Sequence, residues 1–248
     1  MNNKEYVLKL SRFFRKHHDP KQSKRMEHYM RDQFKFIGLS SPNRRTLLKQ
    51  FIQENGRPQQ SSQLLEIFKL EEREFKYISL DLASHQLHKV VDSNRIEIYQ
   101  QMIAIEPWWD TVDIIASKLV GSHLKLFPKQ IKEYTSKWNT DADIHSIWYQ
   151  RTSIIFQLTY KDKIDTELLF SYIKSTMHNK EFFIQKAIGW SLRQLSKTNP
   201  TIVHEFLDQH QHILSTLAKR EALRYLTKKG KLSDDEDDDD DTDDTDDE

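Results

Sequence analysis

The chain has 248 residues with 38 basic and 38 acidic side chains, five glycines, six prolines and no cysteine. That length suffices for one large domain or two small ones with a real core, and the absence of cysteine excludes a disulfide framework, a thiol nucleophile and a zinc–cysteine centre. No apolar run approaches the roughly 18 residues of a membrane span, and the charged start MNNKEYVLKL lacks the apolar core of a signal peptide, so a soluble cytoplasmic protein is expected.

Taken in order, the chain reads as helices. Apolar residues recur with a period near 3.6 in NNKEYVLKLSRFFRK (2–16), SPNRRTLLKQFIQENG (41–56), REFKYISLDLASHQL (73–87) and NRIEIYQQMIAIEP (94–107). The pattern continues in WWDTVDIIASKLVG (108–121), IHSIWYQRTSIIFQL (144–158), TELLFSYIKSTM (166–177), KEFFIQKAIGWSLRQLSK (180–197) and KREALRYLTKKG (219–230). SSPNRR opens one of them with a Ser cap and Pro in the first turn. Alternating strand patterns are nearly absent and the connections are short. The reading is all-α, built from antiparallel helix pairs.

Beyond the last helix the composition changes. Residues 234–248, DDEDDDDDTDDTDDE, hold 13 acids and no base, which leaves 38 basic against 25 acidic residues and a charge of +13 over 1–233. We therefore divide the chain into a helical domain (1–232) and a disordered acidic tail (233–248). A basic body points to a polyanionic partner; the plainer reading of surplus lysine is solubility.

Three helices carry residues out of place. In WWDTVDIIASKLVG, Trp108, Val112, Ile115, Ala116 and Leu119 form one apolar stripe, so Trp108 is core; Trp109 and Asp113, four apart, share its shoulder. In IHSIWYQRTSIIFQL, Arg151 falls in the middle of the face made by Ile144, Ile147, Trp148, Ile154, Ile155 and Leu158. A buried unpaired guanidinium costs several kcal/mol. Arg151 therefore has an acidic partner, or its face opens on a groove where a phosphate supplies the charge. In KEFFIQKAIGWSLRQLSK, Trp190 lies beside a face centred on Ile184, Ile188, Ser191, Leu192 and Leu195. Gly189, which costs about 1 kcal/mol against Ala in mid-helix, suggests close approach of another backbone or of a ligand. Trp109, Arg151 and Trp190 are 42 and 39 residues apart, near the roughly 40–47 residues of HEAT-type repeats; on equivalent helices of a solenoid they would line one concave basic groove. GxGxxG, Walker A and HExxH motifs are missing, and the histidines show no paired ligand spacing, so neither a cofactor nor a metal site is expected.

WDTVD (109–113), WYQRTSIIFQL (148–158), EFFIQKAIGW (181–190) and FIGLSSPNRR (36–45) together resemble the AlkD-like DNA alkylation repair family, over roughly residues 1–230. The resemblance implies a HEAT-like fold and a monofunctional DNA glycosylase, active on N3- and N7-alkylated purines. The family's functional residues fall on Trp109, Asp113, Arg151 and Trp190. An alkylated purine is already cationic and a good leaving group, so no general acid is required. One fixed carboxylate, Asp113, would stabilise the charge developing on the deoxyribose and orient the attacking water. Two indoles suit a cationic nucleotide, and Arg151 would hold a backbone phosphate. Arg44, Arg45, Lys49, Lys118, Lys125, Lys161 and Lys163, with a late cluster at Lys219, Arg220, Arg224, Lys228 and Lys229, would track phosphates of double-stranded DNA. The implied protein is a monomer associated with the nucleoid through DNA. The acidic tail, foreign to the family pattern, would compete with DNA for the groove or simply aid solubility. The alternatives are a non-catalytic relative binding branched or damaged DNA, and a helical-repeat scaffold for proteins.

Overall fold

The computed structural model describes residues 3–86, 91–140 and 146–232, and every regular element among them is helical. The acidic tail and Ile144 lie outside the described residues. α1 (Asn3–Arg15) buries Tyr6, Leu10 and Phe14 at four-residue spacing, the stripe that an amphipathic helix needs. α2 (Pro20–Tyr29) follows, then α3 (Ser41–Asn55), α4 (Ser61–Phe68), α5 (Arg73–Gln86) and α6 (Arg95–Ala104). α7 (Trp109–Ile114) runs through a π-helical turn (Ile115–Val120) into α8 (Gly121–Leu126). The series ends with α9 (Gln130–Thr140), α10 (Ser146–Ile155), α11 (Thr166–Thr176), α12 (Phe182–Ser196), α13 (Pro200–Gln209) and α14 (Thr216–Leu232).

Local chemistry sets the helix starts. Asp19, Asp165 and Asn199 accept first-turn N–H bonds for α2, α11 and α13, and Pro follows at once in α2 and α13. Ser40 precedes α3 as expected, with Pro42 in the first turn, but its side chain makes no cap bond; its carbonyl accepts from Arg44 N–H at 2.8 Å. α2, α4, α8, α9 and α13 are helices that the periodicity did not single out, Gly121 of α8 apart.

The helices form two layers. α3, α5, α7–α8, α10, α12 and α14 pack successively in one; α4, α6, α9, α11 and α13 back them, with α1 against α3 and α4. This is a helical-repeat solenoid. Its period is visible in bonds between successive repeats: Tyr134–Glu97, Thr135–Tyr172, Ser191–Ile154 and Arg73–Asp110 are each 37 residues apart, and Trp138–Gln100 and Arg151–Asp113 are 38. The repeat is thus shorter than expected. Trp109, Arg151 and Trp190 do sit on successive helices of one layer, α7, α10 and α12. Their 42-residue first spacing arises because Trp109 lies one turn before Asp113, the residue in register with Arg151. Two apolar clusters fill the space between layers, one around Phe14, Phe51, Phe75 and Ile115 and one around Ile155, Ile188 and Ala218, both touching Ile147 and Ile164. Each fully buried Leu or Phe there contributes about 1.5–3 kcal/mol.

Candidate active site

Trp108, in extended backbone, caps α7. Its half-buried ring packs between Phe34, Trp148 and Phe183, the core role read from its stripe. Trp109, also half-buried, turns instead to Tyr29, ring centroids 6.4 Å apart and nearly perpendicular.

Asp113 meets Arg151 in a two-bond fork, Nε to Oδ1 at 2.7 Å and Nη2 to Oδ2 at 2.8 Å, while Nη1 donates to the Phe183 carbonyl at 2.6 Å. The acidic partner is therefore the alternative realised. With each of its three nitrogens bonded and 5% of its side chain exposed, Arg151 lies beneath the surface a phosphate would reach. It fixes the plane of the carboxylate, as charge-assisted bidentate pairs do. Asp113 keeps 17% of its side chain exposed, and the fork takes one hydrogen bond on each of its oxygens. Trp190, half-buried on α12, stands with its ring centroid 5.9 Å from the Arg151 guanidinium. Asp113, Arg151 and Trp190 are thus one cluster, with Trp109 one turn before Asp113. The π turn begins two residues after Asp113, and across it the Ser117 hydroxyl donates to the Asp113 carbonyl at 2.7 Å; such turns recur at functional sites.

Gly189 answers to a backbone and not to a ligand. A Cβ there would lie 2.5 Å from Glu221 Cβ and 2.8 Å from the Ala218 carbonyl of α14.

A second charged set, missed in the sequence, anchors the same motif. Arg73, fully buried at the start of α5, binds Asp110 through Nε at 2.9 Å and Nη2 at 2.6 Å. Its Nη1 donates to the Glu106 carbonyl at 2.8 Å, and its guanidinium lies 3.8 Å from the Phe34 ring centroid. Tyr77 adds an O–H bond to Asp110 Oδ2 at 2.6 Å; burial and then the Asp110 charge hold this phenol far above its ordinary pKa. Lys76, buried one turn along, binds the exposed Glu106 carboxylate at 2.5 Å, and burial lowers its pKa. Glu74, also buried, accepts the N–H groups of Ile37, Gly38 and Leu39 at 2.8–3.0 Å, which fixes the FIGLSS segment. The signal was the charge density of REFKY inside an apolar pattern.

The basic candidates divide. Arg44 is buried, 3.5 Å from Asp81 and 4.8 Å from the Tyr77 ring centroid, and desolvation lowers its pKa; it is not the surface phosphate contact expected. Arg45 is 64% exposed and 4.0 Å from Asp81. Lys49, Lys118, Lys161, Lys163 and Arg220 are exposed. Lys125 donates to the Thr159 carbonyl at 3.3 Å beside Tyr160. Two cations that sequence reading passed over flank Trp190 at i−4 and i+3: Lys186 and Arg193, which share Glu221 at 3.1 and 3.4 Å. Among the described residues there is no cluster of three or more His, Cys, Asp or Glu able to hold a metal, and no helix long and apolar enough to cross a membrane.

The sequence profile of the DNA alkylation repair enzyme family matches residues 10–226. The chain is 34% identical to a solved structure described as a predicted DNA alkylation repair enzyme from Enterococcus faecalis, with 85% of this chain and 97% of that chain covered and a TM-score of 0.75. No curated protein shows significant similarity. The chain belongs to the DNA alkylation repair enzyme family.

Proposed function

We propose that the protein is a monofunctional DNA glycosylase that releases cationic N3- and N7-alkylated purines from double-stranded DNA, acting as a monomer on nucleoid DNA. The observation that carries the reading is Asp113: a part-exposed carboxylate locked by the buried Arg151 fork, with Trp190 over that guanidinium and Trp109 one turn earlier on α7.

An alkylated purine leaves as a neutral base once its C1′–N bond breaks, and positive charge gathers on the deoxyribose. A carboxylate already fixed in place needs no reorganisation at that moment. The free oxygen lone pairs of Asp113 would stabilise the sugar cation and direct a water to C1′, taking its proton. Trp109 and Trp190 would bracket the cationic nucleotide, each indole face contributing about 0.5–2 kcal/mol. Arg151 acts through Asp113 as a positioning residue. Exposed Arg45, Lys49, Lys118, Lys161, Lys163 and Arg220 would supply sequence-independent phosphate contacts.

Incubation with duplex DNA containing 7-methylguanine, beside an Asp113→Asn variant, tests the reading. Free base released by the wild type and lost in the variant supports it. DNA binding without release would leave a non-catalytic binder of damaged DNA.

A further inference from the structure

The Trp190 indole is held differently from the other tryptophans. Trp108, Trp109 and Trp148 lean on aromatic neighbours, and Trp138 stacks on Tyr149 and donates its Nε1–H to Gln100 at 3.0 Å. Among the described residues Trp190 has neither an indole hydrogen bond nor a ring partner. Its ring has the Arg151 guanidinium 5.9 Å from the centroid and the edge of an apolar cluster. Where this indole stands therefore depends on how α12 itself is placed.

That placement has a specific lock. α14 packs along α12, and Glu221 enters where Gly189 leaves room: a Cβ on the glycine would lie 2.5 Å from Glu221 Cβ. Lys186 and Arg193 stand three residues before that glycine and four after it, on one face of α12. Glu221 binds both, Oε1 to Lys186 Nζ at 3.1 Å and Oε2 to Arg193 Nη1 at 3.4 Å, with 11% of its side chain exposed. Moving α14 by one residue would shift the carboxylate by about 1.5 Å and turn it by about 100° away from the gap, so the clamp admits one register. Trp190 is the residue next to the gap. The charge of Arg224 also acts on Arg193, so a neutral side chain at 221 would leave cations of both helices facing one another.

We propose that Glu221 is a positioning residue for Trp190: one carboxylate on α14, clamped between Lys186 and Arg193 over Gly189, fixes the turn of α12 that carries the indole beside Arg151, the partner of Asp113. Its effect on rate rests on the base-release reading above; its effect on the indole does not. Glu221 touches no substrate in this role and acts through Trp190. An indole attracts a cation only when the cation lies over the ring face, within about 6 Å of the centroid, so a loosened Trp190 loses hold of the cationic nucleotide.

The test uses the full chain with its five tryptophans replaced by 5-fluorotryptophan; the fluorine resonance of Trp190 is assigned by its loss in Trp190→Phe. Glu221→Gln keeps the size of the side chain over Gly189 and removes its charge. The expected result is a broadened or split Trp190 resonance while the others stay sharp, with single-turnover release of 7-methylguanine slowed about tenfold and DNA affinity within a few-fold. Ala222→Gly weakens α14 but leaves the clamp in place, and should keep the Trp190 resonance sharp. A single sharp Trp190 resonance in Glu221→Gln overturns the proposal, and so does equal broadening in Ala222→Gly. If the wild type releases no base, the glycosylase reading fails and the resonance still decides the role of Glu221.

Discussion

Asp110 and Asp113 lie three residues apart on α7 and have opposite surroundings. Asp110 is closed by two Arg73 nitrogens and the Tyr77 hydroxyl, with 8% of its side chain exposed; Asp113 has the Arg151 fork alone and more than twice that exposure. One carboxylate of the motif is therefore closed by three donor contacts, and the other keeps part of its surface free, as the proposed role of Asp113 requires. Replacing Asp113 with Asn should reduce single-turnover base release at least a hundredfold, about 2.7 kcal/mol of transition-state stabilisation, and leave DNA affinity within a few-fold. Loss of affinity parallel to loss of rate would mean that Asp113 acts in binding.

Arg151→Lys separates positioning from charge. A lysine keeps the positive charge but not the fork, and the Phe183 carbonyl loses its donor. Release should slow tenfold or more while DNA affinity and its salt slope hold. If Arg151 bound a phosphate, an uncharged Arg151→Gln variant would lower the slope by about 1; a salt titration of that variant decides between the two.

The set around Asp110 predicts a stability effect of different size for each member. Arg73→Met leaves the Asp110 carboxylate buried without its cation and should cost about 3–5 kcal/mol. Tyr77→Phe removes one hydrogen bond and should cost about 1–2 kcal/mol. Urea unfolding measures both, and equal effects would contradict the assigned geometry. Because these groups fix the start of α7, Tyr77→Phe should also slow base release at temperatures well below its own unfolding.

What the sequence revealed and what it hid divide along physical lines. Helices with a wide apolar stripe, such as α10 and α12, were legible because burial writes the 3.6 period directly. α2 was not, since it buries one residue and is held by the Asp19 cap, the Ser23 hydroxyl and a close approach at Gly38. Arg151 announced itself by standing on an apolar face, yet its partner lies 38 residues away, and no local pattern encodes that register. Arg73 stayed hidden because an arginine in a first turn reads as a solvated end until α7 is packed on it. Arg44 misled for the converse reason: it belongs to a basic pair, and only the fold decides that Arg45 faces outward while Arg44 turns under Asp81 and Tyr77. Gly189 was read correctly as a close approach, and the neighbour proved to be α14.

Gly189→Ala should then act through packing. The added methyl meets Glu221 Cβ and the Ala218 carbonyl, so α12 and α14 must separate at a cost of about 1–3 kcal/mol, despite the higher helix propensity of Ala. Thermal unfolding should show a lowered midpoint. A raised midpoint would mean that propensity outweighs the clash and that α14 yields freely.

His123 gives the fold a pH dependence with a definite sign. Its ring is almost fully buried, bonded to Gln130 at 2.8 Å and packed against Phe127 and Tyr99. Desolvation, opposed by the Gln130 bond, lowers its pKa below the ordinary 6.5. A base with a lowered folded-state pKa binds fewer protons folded than unfolded, so its contribution to stability is present above the unfolded value and is lost as pH falls through 6.5 towards the folded pKa. The unfolding midpoint should drop between pH 7.5 and 5.5, and His123→Gln should flatten that part of the curve while costing some stability at pH 7.5 through lost ring packing. An equally steep fall in the variant would transfer the effect to other groups. A rise in midpoint on acidification would reverse the sign and require a charged, favourably partnered imidazole in the folded protein.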